Sequence, residues 1–157
     1  MKKLLVMVGV VAAFAGVWRW RAHSGAQQAE VTDGGGNKLL VDRLWIDHIP
    51  RSEREMVKAF VVLSEEPIGV FNEASMWTGT FEAFKYTRGG GELRVVYPQT
   101  GKGEKIKVKA RTCSEGKFDF CLELDGGKGA KRYYSREGWE LRSLADEQRL
   151  LGQLPAE

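Results

Sequence analysis

Lys105-Ile106-Lys107-Val108-Lys109-Ala110-Arg111 and, seven residues later, Phe118-Asp119-Phe120-Cys121-Leu122-Glu123-Leu124-Asp125 decide the fold. In the first run Ile106, Val108 and Ala110 point one way, and Lys105, Lys107, Lys109 and Arg111 point the other. In the second, Phe118, Phe120, Leu122 and Leu124 alternate with Asp119, Glu123 and Asp125. A period of two with one wet face and one apolar face marks neighbouring antiparallel strands on a core. The basic row of one strand lies beside the acidic row of the next. Internal pairing therefore explains the lysines better than a polyanion partner does.

Cys113 and Cys121 fall on the charged face of this hairpin. Placing them opposite each other sets Arg111 against Glu123 and Lys109 against Asp125, and leaves a wide loop between the strands. One register thus joins the cysteines and pairs the charges, which predicts a disulfide between them. Thiol exchange chemistry is less suited to cysteines on a hairpin, because reactive thiols favour helix N-termini.

Outward from this hairpin the same texture continues. Leu39 to Ile49 is rich in branched and aromatic residues and stops at Pro50, as a strand would. Residues 53–63 are ambiguous. Ser52-Glu53-Arg54-Glu55 has the form of a helix capping box, but Val57, Val61 and Val62 favour a strand, and a strand is expected. Ile68 to Phe71 pairs back across Pro67. Trp77 to Tyr86, Glu92 to Tyr97 and Lys131 to Ser135 follow, divided by glycine-containing turns. Ser143 opens a final helix whose apolar side is Leu144, Leu151 and Leu154, ended by Gly152 or Pro155. The expected fold is mainly β, a small antiparallel barrel or curved meander sheet with a C-terminal helix, over residues 38–157.

Two segments precede that domain. Lys2 and Lys3 stand before Leu4 to Trp18, which carries no charge, and Arg19, Trp20 and Arg21 follow. The run suits a signal peptide in length, with Ser24-Gly25-Ala26 as a cleavage site; Trp18, Trp20 and the two arginines suit an uncleaved membrane anchor. Residues 1–26 are expected to be one or the other, and 27–37, polar and glycine-rich, a flexible linker. The expected location is secreted, periplasmic or at the cell envelope, with the membrane met through residues 4–20. An oxidising compartment also suits the disulfide.

Net charge is +3 over 157 residues, but four of the 24 cations are Lys2, Lys3, Arg19 and Arg21. The remainder holds 20 cations against 21 acids, which excludes the basic surplus typical of nucleic-acid binding. No nucleophile elbow, phosphate loop or Cys-x-x-Cys pattern occurs. His48 beside Asp47 is the single polar-site candidate; on a continuous strand the two would point to opposite faces. No catalytic, metal or cofactor-binding set is expected, and the chain is not expected to be an enzyme. Aromatic residues at Trp45, Trp77, Tyr133 and Tyr134 are the candidate contacts for a ligand or protein partner. Lys131 to Arg136 could serve an anionic partner, or simply be a charged strand that resists aggregation.

Ser75-Met76-Trp77 ahead of the meander resembles, over three residues, the Gly-x-Trp opening of lipocalin-type barrels, with Ser in the place of Gly and the rest of that pattern missing. The resemblance implies a barrel that binds a small hydrophobic ligand. The leading expectation is a non-enzymatic interaction or structural protein of the envelope with an unknown protein partner; the hydrophobic-ligand barrel is the alternative and an enzyme the third.

Overall fold

Phe60, Phe71 and Phe84 meet at ring-centroid distances of 5.0, 5.2 and 6.2 Å, with Tyr133 at 5.8 Å from Phe60, and a sheet curls around them. The computed structural model describes residues 37–154. Eight strands, each antiparallel to the next, close into a barrel in chain order: β1 (Trp45–Ile46), β2 (Val57–Val62), β3 (Ile68–Ala74), β4 (Gly79–Gly89), β5 (Glu92–Val96), β6 (Gly103–Glu115), β7 (Phe118–Asp125) and β8 (Arg132–Ser135). Two short helices flank them, α1 (Asn37–Leu40) and α2 (Leu144–Leu151). The leader 1–26 and linker residues 27–36 lie outside the described residues. Among those described, no helix is long and apolar enough to cross a membrane.

Alternation explains the closure. Apolar residues at alternate positions of β2 and β4 to β8 are buried toward one interior: Phe60, Val62, Phe84, Tyr86, Leu93, Val95, Ile106, Ala110, Leu122, Leu124 and Tyr133. An eight-stranded barrel has an interior just wide enough for side chains or one small ligand. Here large rings occupy it. Gly69 sits opposite Phe84, and a Cβ there would lie 2.2 Å from the Phe84 ring. Only a residue without a side chain leaves room for that ring to lie across β3.

Both mouths are covered. Leu40 of α1 is fully buried in the interior cluster, where its carbonyl accepts the Trp45 indole N–H at 3.0 Å. At the opposite mouth the loop from Gly126 to Ala130 folds over Phe71 and Ile106. Its Ala130 N–H donates to the Tyr133 hydroxyl at 2.7 Å. A Cβ on Gly129 would stand 2.0 Å from that hydroxyl and 2.7 Å from Phe71, so the approach again demands glycine.

A second apolar cluster lies outside the barrel. Ile46, Val57, Ala59 and Val61 face outward from β1 and β2 and are buried against Leu141 and Leu150. Ser143 stands at the N-cap of α2 but makes no side-chain capping bond, and Gly152 is the C-cap. Instead the Asp146 carboxylate accepts the Arg142 N–H at 3.1 Å.

Two expectations need correction. Leu39 to Ile49 is not one strand. α1 occupies its start, Asp42 turns the chain with φ 54°, and β1 is two residues long. The branched residues are there because Leu40 and Leu44 are buried, not because they extend a ladder. The β6–β7 register is also shifted by two residues from the charge-matched one. Arg111 faces Cys121, Lys109 faces Glu123 and Lys107 faces Asp125. A bulge between Thr112 and Glu115 absorbs one extra residue of β6, and the turn is tight, at Gly116 and Lys117. The bulge carries Cys113 to Cys121 across a diagonal, and the expected disulfide is formed with Cα atoms 5.8 Å apart.

Of the two expected charge pairs Arg111–Glu123 is kept, while Asp125 takes Lys107 in place of Lys109. Lys107 meets Asp125 at 3.8 Å, Arg111 meets Glu123 at 3.9 Å, and Arg132 of β8 reaches Glu123 at 3.6 Å. Residues 57–62 are the strand expected of the ambiguous stretch, preceded by a bend rather than a helix.

Candidate functional site

Two outer features hold His48, Tyr134 and Trp77, three of the side chains that sequence singled out. The first is the bend after β1. The ladder stops at Ile46, and the Asp47 carboxylate accepts the Lys58 N–H at 2.9 Å. The backbone then leaves the sheet, so Asp47 and His48 no longer obey strand alternation. Their expected separation to opposite faces is overturned: His48 Nδ1 lies 2.9 Å from Asp47 Oδ1, and His48 Nε2 lies 3.3 Å from Glu55 Oε1. Glu55 also accepts the Arg51 N–H, which is the chief reason its carboxyl is held below its ordinary range. The histidine is thus clasped between two carboxylates from one short segment.

Beside this bend is an open hollow of about 380 Å³, walled by Ile49, Glu115, Phe118 and Tyr134. Phe118 and Tyr134 are stacked at 4.9 Å, and Trp139 meets Phe118 edge-on at 6.3 Å. The Arg136 guanidinium lies 5.7 Å from the Trp139 ring, near enough for cation–π attraction. A second hollow of about 450 Å³ lies across β6 to β8 among Lys107, Lys109, Glu123 and Asp125. Both are on the barrel's outer surface.

Chemically, the bend can orient an imidazole between two carboxylates. Both cysteines are in the disulfide, and among the described residues no group of three His, Cys, Asp or Glu side chains is placed to hold a metal ion. Tyr133 is buried in the barrel, and burial pushes its hydroxyl up to about 12.

The second feature is the turn between β3 and β4. Ser75 Oγ accepts the N–H groups of Trp77 and Thr78, each at 3.3 Å, and the Ser75 N–H donates to the Thr78 carbonyl at 2.8 Å. The Met76 N–H donates to the Glu53 carbonyl at 3.0 Å, which ties the turn to the β1–β2 loop. On this braced turn Trp77 is 70% exposed and Met76 62% exposed. The turn lies at the mouth opposite α1, because β3 runs toward it from the end where the Asp42 N–H donates to the Val62 carbonyl.

The four aromatic candidates therefore divide. Trp45 and Tyr133 are sealed inside the barrel, Tyr134 lies half-buried beside the hollow, and Trp77 stands in solvent. Lys131 and Arg132 are exposed at the edge of the larger hollow. Sequence reasoning missed Glu55, Phe118 and Glu147. Glu147 was detectable: with Leu150, Leu151 and Leu154 it falls at helical spacing on a single face.

These features define a small, closed, aromatic-filled antiparallel barrel with its polar groups on the outside. Comparison with known proteins finds no family model, no curated relative and no solved structure that matches the chain.

Proposed function

We propose that this chain is an exported or membrane-tethered envelope protein whose barrel is a non-enzymatic interaction module, with the Met76–Trp77 turn as its contact point for a protein partner. The exposed Trp77 carries the proposal. Tryptophan is enriched among the anchors that dominate protein–protein binding, and a large apolar side chain held on a braced turn loses little freedom when a partner covers it. The rings filling the barrel and the covers at both mouths favour contact at the surface over a ligand held inside. The disulfide is compatible with an oxidising compartment.

A photo-crosslinking residue in place of Trp77, in the full chain in its native cells, is expected to give one discrete adduct. The same residue in place of Gln99, in an exposed turn at the same mouth, is expected to give none. Equal labelling at the two positions, or no adduct at 77, would refute the contact. Sequencing the N-terminus of the chain recovered from cell fractions tests export separately.

A further inference from the structure

The outward faces of β1 and β2 form an apolar strip that α2 covers. A helix serving only as a cover would place apolar side chains alone on its inner face. α2 places Glu147 there, 5% exposed. The bond the carboxylate receives is from the Asn72 side-chain amide of β3 at 3.3 Å, at the long end for such a bond. A neutral acid is tolerated in that position, whereas an ionised one pays for lost hydration that one amide does not replace.

Among the described residues no cation is paired with Glu147. Beneath the helix, β2 presents Val57, Ala59 and Val61, and β3 presents Val70, Asn72 and Ala74. On β4 the residue opposite Asn72 is Phe81, and the outward cation of that strand, Lys85, faces Ile68 farther along. On α2 itself, Asp146 and Arg149 engage each other at 3.2 Å. Burial is accordingly the leading influence on Glu147, raising its carboxyl to about 7, with the Asn72 bond opposing it. The helix is eight residues long, too short to persist in water without its packing. The ring of strands closes without it, so α2 can lift while the barrel stays intact.

We propose that α2 is a pH-gated latch: it lies on β2 and β3 while Glu147 is neutral, and lifts when Glu147 ionises, uncovering the apolar strip of β1 and β2. The device is independent of the Trp77 turn.

Hydrogen exchange on the full chain tests it, with intrinsic pH effects divided out. A carboxyl at about 7 when docked and at its ordinary 4.5 when free makes opening of residues 144–151 rise about 30-fold from pH 5.5 to 8.5. Glu147→Gln should abolish that rise, while the amides of β4 to β6 keep their protection in both proteins. The same rise in the variant, or a flat profile in the wild type, overturns the latch. Should the variant fail to fold, a carbon-13 titration of the Glu147 carboxyl in the wild type decides: a midpoint near 7 supports the latch, and one in the ordinary carboxylate range overturns it.

Discussion

Reducing the Cys113–Cys121 bond should lower stability by an amount that the loop length fixes. The bond spans a sequence separation of eight. In the chain-entropy account a loop of that size removes about 8 cal/mol/K from the unfolded chain, or about 2.5 kcal/mol at 25 °C. That corresponds to roughly a 70-fold change in the folding equilibrium. The folded state adds little of its own, because the strands on either side are already held by the β6–β7 ladder. The assay is urea unfolding of the wild type with and without reductant, followed by circular dichroism. With a slope near 1.5 kcal/mol/M, usual for a domain of this size, the midpoint should fall by about 1.7 M. Cys113→Ala should match the reduced wild type, since it leaves the buried Cys121 side chain in place. A shift below about 0.3 M, or a variant much weaker than the reduced wild type, would refute an entropic origin.

Three further outcomes are expected. Gly129→Ala pushes a methyl group into the Tyr133 hydroxyl and Phe71, and should cost about 1–3 kcal/mol in the same assay. Glu147→Gln should gain stability as pH rises above the ordinary 4.5, because only the folded chain then holds the proton; the gain saturates above about 7 at roughly 3 kcal/mol, and melting scans at pH 5 and pH 8 read it. Lys107→Ala removes a solvent-exposed pair with Asp125 and should change stability by under about 0.5 kcal/mol, with the wild-type difference shrinking further in high salt.

The strands were legible wherever a strand has one wet face. β6 and β7 announce themselves because lysines and acids alternate with apolar residues. β1 did not, since Leu40, Leu44 and Ile46 are buried in three different settings, an α-helical turn, an irregular link and a two-residue strand, which share only the need to avoid water. Register was illegible for a related reason. Two alignments two residues apart both set cations against acids, and the bulge that lets the shifted one keep the disulfide depends on backbone twist, not on residue type. The Asp47–His48 contact was hidden by the assumption that the strand continued past Ile46. Glu55 joins them through a bend whose residues looked like a helix start. The exposure of Trp77 could not be read, because a strand was expected to start at Trp77, whereas β4 starts at Gly79 and leaves Trp77 in the turn.

The seam of the barrel has a consequence for how the chain folds. β3 through β8 are each joined to the strand before them by a short connection, and these hairpins can assemble as the chain emerges. Closure cannot, because it rests on the Ile46–Tyr134 pair, on the Ser135 hydroxyl donated to the Leu44 carbonyl 91 residues away, and on Arg43 donating to the Arg136 carbonyl across 93 residues. Bringing such distant segments together is an entropic task that contacts reward only once they form. Joining the first strand to the last is therefore expected to come late and to set the folding rate, which leaves the edges of β2 and β8 open for mispairing between chains until then.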